Sequence, residues 1–230
     1  MAMSQLFKLI KKDFAILFKN RIYLLMAVYP LGMSFTSIGL RINPESQSNQ
    51  STVSLFVTLS VLFVIYVGKS TVLSVEEKEG LDILFRSLPI QQKQFILARY
   101  TTALAFYGIG LGLVSVVPLL SGVWLSHQTL YLEAYKVSFW IATIMVSLMM
   151  PAYFKLGYIK TSYVGRFVYM FIVMGPFFYV QLPKLTVGQV MVSGLASLIQ
   201  NGLNHSLWMA FVLGFFLMIS IRLSISFSAQ

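Results

Sequence analysis

No cysteine occurs in the 230 residues. Its absence removes disulfides, thiolate nucleophiles, thiolate metal sites and covalent haem attachment, although it says little about compartment. Charge is scarce too, at 10% of residues against about 25% in an average soluble domain. With 57% apolar residues, the composition belongs to a membrane protein. Proline is limited to seven residues while aromatics reach 15%, which favours helical spans with interfacial anchors. An outer-membrane barrel would instead show alternating segments of about ten residues. The two histidines, His127 and His205, stand apart with no second ligand spaced beside either, so neither a metal site nor a nucleophile–base pair is legible. The net charge of +10 invites a nucleic-acid reading, but in a membrane protein basic residues mark the cytoplasmic side. No nucleic-acid partner is expected.

What is present is a series of apolar runs. Taking about 20 residues per crossing of the hydrocarbon layer, six spans fit residues 22–40, 53–75, 95–125, 137–154, 164–180 and 206–225. The third is too long for a straight crossing, so it should begin as interfacial helix near 91–99 and bend near Pro118. Its Gly108 and Gly112 have GxxxG spacing and, with Gly110, permit close helix packing, within the subunit by preference. Ahead of the first span, Leu6, Phe7, Ile10, Phe14, Leu17 and Phe18 share an arc of about 120° on a helix over 4–21, with Lys8, Lys12 and Lys19 turned away. That suits a helix lying on the membrane, lysines toward anionic headgroups. Lysines that only hold the inner end of the first span are the alternative. A cleavable signal peptide is disfavoured, because about twenty residues including Asp13 precede the apolar run.

Counting Lys and Arg on the two sides of this arrangement gives fourteen inside and three outside, namely Arg41, Lys136 and Lys184. Both termini are therefore expected in the cytoplasm of a multi-pass cell-membrane protein. The outer loops 43–52 and 126–136 are short and polar. Residues 181–205 are too apolar for a free loop and too rich in glycine for a firm span, so a pair of short outer-leaflet helices is preferred over a seventh span. The whole chain reads as one all-α polytopic transmembrane domain.

Residues 74–99, SVEEKEGLDILFRSLPIQQKQFILAR, hold four of the seven acidic residues. Ser74 and Glu77 have capping-box spacing, and Glu76, Glu77 and Glu79 would occupy a first turn where the helix dipole favours negative charge. Leu81, Leu84, Phe85 and Leu88 then follow at i, i+3, i+4, i+7, with Asp82 and Arg86 paired on another face. Pro89 ends the pattern. The spacing predicts a cytoplasmic amphipathic helix over 76–89 that touches something.

Other candidate sites come to little. Gly68-Lys69-Ser70-Thr71 imitates the end of a phosphate-binding loop, but Phe63 stands where the first glycine is required, and a snorkelling lysine is the better account. The spans carry almost no charge, Arg99 and Arg166 being close enough to inner ends to snorkel, so an ion or proton relay has nothing to run on. The carboxylates Asp13, Glu45 and Glu133 are scattered. A translocation path through such spans would be largely apolar, and its energy must come from elsewhere.

The passage 76–99 resembles the membrane subunits of bacterial type-2 ABC exporters: a second span, an acidic helix with a glycine (EEKEGLDILFRSLPI), a Ser-Leu-Pro break, then Lys93 and Arg99 before a long third span. The plan of an N-terminal amphipathic helix, six spans and a membrane-associated segment before the last is similar too. A weaker resemblance is to small Gram-positive permeases that export amphipathic peptides or confer immunity to them. The resemblance implies that 76–89 contains a coupling helix docking on a separate ATPase subunit. Glu76, Glu77, Glu79, Asp82 and Arg86 would then be polar contacts to that ATPase or to the N-terminal helix, and Leu81, Leu84, Phe85, Leu88 and Pro89 would supply the packing. It also implies two membrane subunits around one path, identical or homologous, with ATP and Mg bound only by the partner ATPase. No cofactor is expected in this chain. Two rival classes are a non-transporting membrane scaffold or signalling protein, and a membrane-embedded enzyme, which would need convergent acid, base or metal ligands.

Overall fold

A computed structural model of the chain describes residues 2–39, 47–79, 92–123, 128–181 and 206–228. The described residues form helices and no strand: α1 (Ala2–Lys19), α2 (Ile22–Gly39), α3 (Gln47–Lys78), α4 (Gln92–Leu120), α5 (Gln128–Gln181) and α6 (Ser206–Ser228). Gly157 divides α5 into two arms, its φ of 78° and ψ of 171° being a backbone state open mainly to glycine.

The bundle is organised around α3. Every residue from Val57 to Ile65 is buried, as expected of a helix that is apolar on all sides and surrounded by others. Tyr29 of α2 stacks on Phe63 at 4.1 Å between ring centroids. On α4, Gly110 brings its backbone so close that an added Cβ would stand 3.2 Å from Val61 Cα. In return α3 offers Gly68 beneath the ring of Phe106. Hydroxyls inside α3 are largely absorbed locally, Ser60 donating to the Phe56 carbonyl and Thr71 to that of Val67, the usual fate of such groups in apolar helices.

The outer surface is apolar. Leu104 and Leu120 on α4, Leu148 on α5 and Phe211, Phe215 and Met218 on α6 all point away from the bundle. Large contiguous surfaces of this kind suit lipid and not water. Leu55–Lys78, Gln92–Leu120 and Tyr131–Gly157 are each long and apolar enough to cross a membrane. The pair Phe7–Lys19 and Ile22–Phe35 passes as a fourth only if its two members are joined across an 82° bend. Arg21, at φ 54°, makes that bend.

The expected spans 53–75, 95–125 and 137–154 thus overlap the three qualifying helices with different ends, while the other three extend onto residues or side chains outside those described. Several local expectations are corrected. Ser74 does not open a new helix, because α3 continues unbroken to Lys78. Residues 128–136, expected in a loop, already belong to α5, and the expected loop between residues 154 and 164 is helical apart from Gly157. The outer segment 182–205 lies outside the described residues. Among the three glycines of α4, Gly110 faces α3, whereas Gly108 and Gly112 face open space.

Candidate functional site

Asp13 on α1, Glu76 on α3 and Arg99 on α4 meet inside the bundle, each at most 2% exposed. Arg99 Nη1 donates to both Asp13 oxygens at 2.9 and 3.0 Å, and Nη2 donates to Glu76 Oε2. One guanidinium therefore bridges two carboxylates from two helices, the fork geometry for which arginine is suited and lysine is not. Lys12 Nζ reaches the other Glu76 oxygen, and Thr102 Oγ1 donates to Asp13 Oδ2 at 2.9 Å. The Phe95 ring lies 4.9 Å from the guanidinium carbon. Deeper along α3, the Lys69 ammonium donates to the backbone carbonyl of Arg99.

Local sequence explains how each side chain arrives. On α1, Leu9, Asp13 and Leu17 are all buried at i, i+4, i+8, so the acid sits in the middle of the face that packs on the bundle. Phe7 and Phe18 are exposed and form a separate outward apolar strip. On α4, Phe95, Arg99 and Thr102 occupy one face at i, i+4, i+7. Glu76 lies in the last turns of α3, where the helix dipole disfavours an acid, and its two cationic partners offset that. Burying such charges is costly unless every one is matched.

Of the acidic positions expected to contact an ATPase or the N-terminal helix, Glu76 makes the second contact, through Lys12. Glu77 is half-buried and Glu79 exposed. Leu81, Asp82, Leu84, Phe85, Arg86, Leu88 and Pro89 lie outside the described residues. Of the three lysines expected at the membrane surface, Lys8 and Lys19 are exposed, whereas Lys12 turns inward to Glu76. The snorkelling expected of Lys69 and Arg99 is corrected: both are buried and bonded within the bundle. Asp13 is not scattered either. Its partner is 86 residues away, so only the lone acid on a lysine-rich amphipathic helix could have drawn attention to it. Gly68, read beside Lys69 as part of an imitation phosphate loop, serves the contact with Phe106.

A second polar contact holds α6. Tyr100 on α4 hydrogen-bonds Ser220 and Ser224, and Ser220 donates to the Ser147 carbonyl of α5 at 2.7 Å. No group of three or more His, Asp or Glu able to hold a metal occurs among the described residues.

The ionic node is a mechanical fastening. It joins α1 to the end of α3 and the beginning of α4, the two helices that flank residues 80–91. No curated protein and no solved structure matches this chain. A family model described as ABC-2 family transporter protein matches residues 8–229, the node and almost all of the bundle included. A chain of membrane-length helices matched over nearly its whole length belongs to the ABC-2 transporter family, as a multi-pass membrane permease subunit and not a catalytic one.

Proposed function

We propose that this permease forms an export path as a dimer in the cytoplasmic membrane, with its termini and residues 80–91 in the cytoplasm, and that a separate ATPase drives it by docking on that passage. The cargo is amphipathic or hydrophobic, a peptide being the first candidate, because the helices present little but apolar side chains and hydroxyls. The observation that carries this reading is the Asp13, Glu76 and Arg99 node. With α3 and α4 locked together on either side of 80–91, and α1 locked to both, a push on the intervening passage moves three helices as one body. ATP and Mg belong to the partner. Closure of the paired ATPases would switch access to the path.

The docking test uses the acids that stay outside the node. Glu77→Lys with Glu79→Lys should abolish co-purification of the ATP-binding subunit and ATP-driven export while leaving thermal unfolding unchanged. Intact association would refute the coupling role, as would a stable native complex containing no nucleotide-binding protein. For the dimer, Gly108 and Gly112 offer a small-residue face open to a neighbouring copy. The chain has no native cysteine, so Gly112→Cys should give a clean disulfide-linked dimer in membranes, and a failure to cross-link would place the second subunit elsewhere.

A further inference from the structure

Between α3 and the two arms of α5 lies a cavity of about 70 Å³ whose lining includes Lys69, Ser70, Thr161 and the methionines Met145, Met149 and Met150. Its lining comes from both sides of the break at Gly157, with Thr161, Ser162 and Gly165 on the second arm. Gly165 on that arm approaches Tyr66 so closely that an added Cβ would stand 3.0 Å from the ring. Two features of the lining are unusual. The ionic node and its surroundings hold three cations, Lys12, Lys69 and Arg99, against two carboxylates, Asp13 and Glu76. Arg99 and Lys12 engage the carboxylates, and no acid lies within ion-pair distance of Lys69 among the described residues. A buried ammonium in apolar surroundings is costly without a counter-charge, and Lys69 shows one acceptor, a backbone carbonyl, for its three N–H donors. The second feature is Thr161, which is buried with no hydrogen-bond partner for its hydroxyl among the described residues.

We propose that this cavity binds the anionic head of a single-chain amphiphile, a carboxylate or a phosphate, between Lys69 and Thr161, with its apolar stem against the three methionines. An ammonium only donates, so the site selects an acceptor and rejects a cation. Since one water takes about 30 Å³ of liquid, the cavity itself holds a head of a few heavy atoms and the first carbons beside the methionines, and the rest of the stem leaves through its open side. Methionine side chains adapt to chains of differing shape. Calling the ligand a cargo rests on the permease reading, whereas the binding site itself does not.

The test uses the full chain in phosphatidylcholine nanodiscs, without any ATPase, so that its failure is separate from failure of the coupling role. Binding of radiolabelled dodecanoate is measured against dodecyl phosphate, dodecanol and dodecyltrimethylammonium. The two anions should compete, and the neutral and cationic compounds should need at least about tenfold more. Lys69→Met should weaken dodecanoate binding about tenfold, as loss of a charge-assisted hydrogen bond does, and Thr161→Val about threefold. Should Lys69→Met fail to fold, the Thr161→Val result and the competitor ranking decide. Equal competition by all four compounds, or unchanged affinity in folded variants, would overturn the proposal. Adding phosphatidylglycerol identifies the source: displacement of dodecanoate marks the site as one for a bilayer lipid, and no displacement marks it as one for a free amphiphile, the anionic head being supported in both cases.

Discussion

Arg99→Met would keep most of the length of the side chain and remove the charge that separates two buried acids. Asp13 would lose the Nη1 group that donates to both its oxygens, and of its two cationic partners Glu76 would retain Lys12, itself 27% exposed at its side chain. Removing one member of a buried pair costs about 3–5 kcal/mol, because the surviving charge stays desolvated. In a chain of this length each kcal/mol moves the midpoint by about 2–4 °C, so the thermal transition should fall by roughly 6–20 °C. Tryptophan fluorescence of the purified protein can follow it, Trp140 being buried in α5. A second substitution sharpens the expectation. Asp13→Asn added to Arg99→Met removes an acid left with only Thr102 and a 3.8 Å approach of Lys12, and leaves Glu76 paired with Lys12, so the double variant should be more stable than Arg99→Met alone by about 1–2 kcal/mol, a coupling typical of residues in one network. A shift below about 2 °C for the single variant, or a double variant less stable than the single, would refute the node as the fastening of α1, α3 and α4.

Gly68→Ala places a Cβ 2.8 Å from the Phe106 ring and should cost about 1–3 kcal/mol; Phe106→Leu in the same chain should restore part of it in the same unfolding assay. Gly157→Ala meets no atom within 4 Å but must adopt φ 78°, so its cost of about 1–2 kcal/mol is a backbone effect, and unchanged stability would contradict the break in α5. Tyr100→Phe loses the bonds to Ser220 and Ser224 and should lower stability by about 1 kcal/mol, with faster hydrogen exchange in α6 as the accompanying sign.

Membrane class and helical architecture are legible along the chain because they depend on local quantities. Apolar runs such as 53–75 exceed the bilayer thickness whatever they pack against, and seven acids among 230 residues leave little for a soluble surface. Capping logic at Ser74 failed for an equally physical reason. The spacing of Ser74 and Glu77 fits a helix start, yet α3 was already helical when it reached Ser74, and an established helix continues more easily than a new one nucleates. Loop expectations for 128–136 and for the stretch between residues 154 and 164 failed similarly. Polar residues there extend helices past the apolar core, so composition alone put the ends in the wrong place.

By itself, the sequence determined that this is a helical membrane protein with an amphipathic N-terminal helix and a charged passage near residue 80, since periodicity and composition depend only on neighbours along the chain. Tertiary structure alone decided that Asp13 and Arg99 are partners, that Lys12 and Glu76 face inward, that Gly68 seats an aromatic ring, and that Lys69 borders a cavity with no acid in ion-pair contact among the described residues. Those facts depend on which helix faces which across 30 to 86 residues of chain. A charge on a helix has the same local pattern whether it ends in water or against its opposite, and only the packing of α1, α3 and α4 tells the two apart.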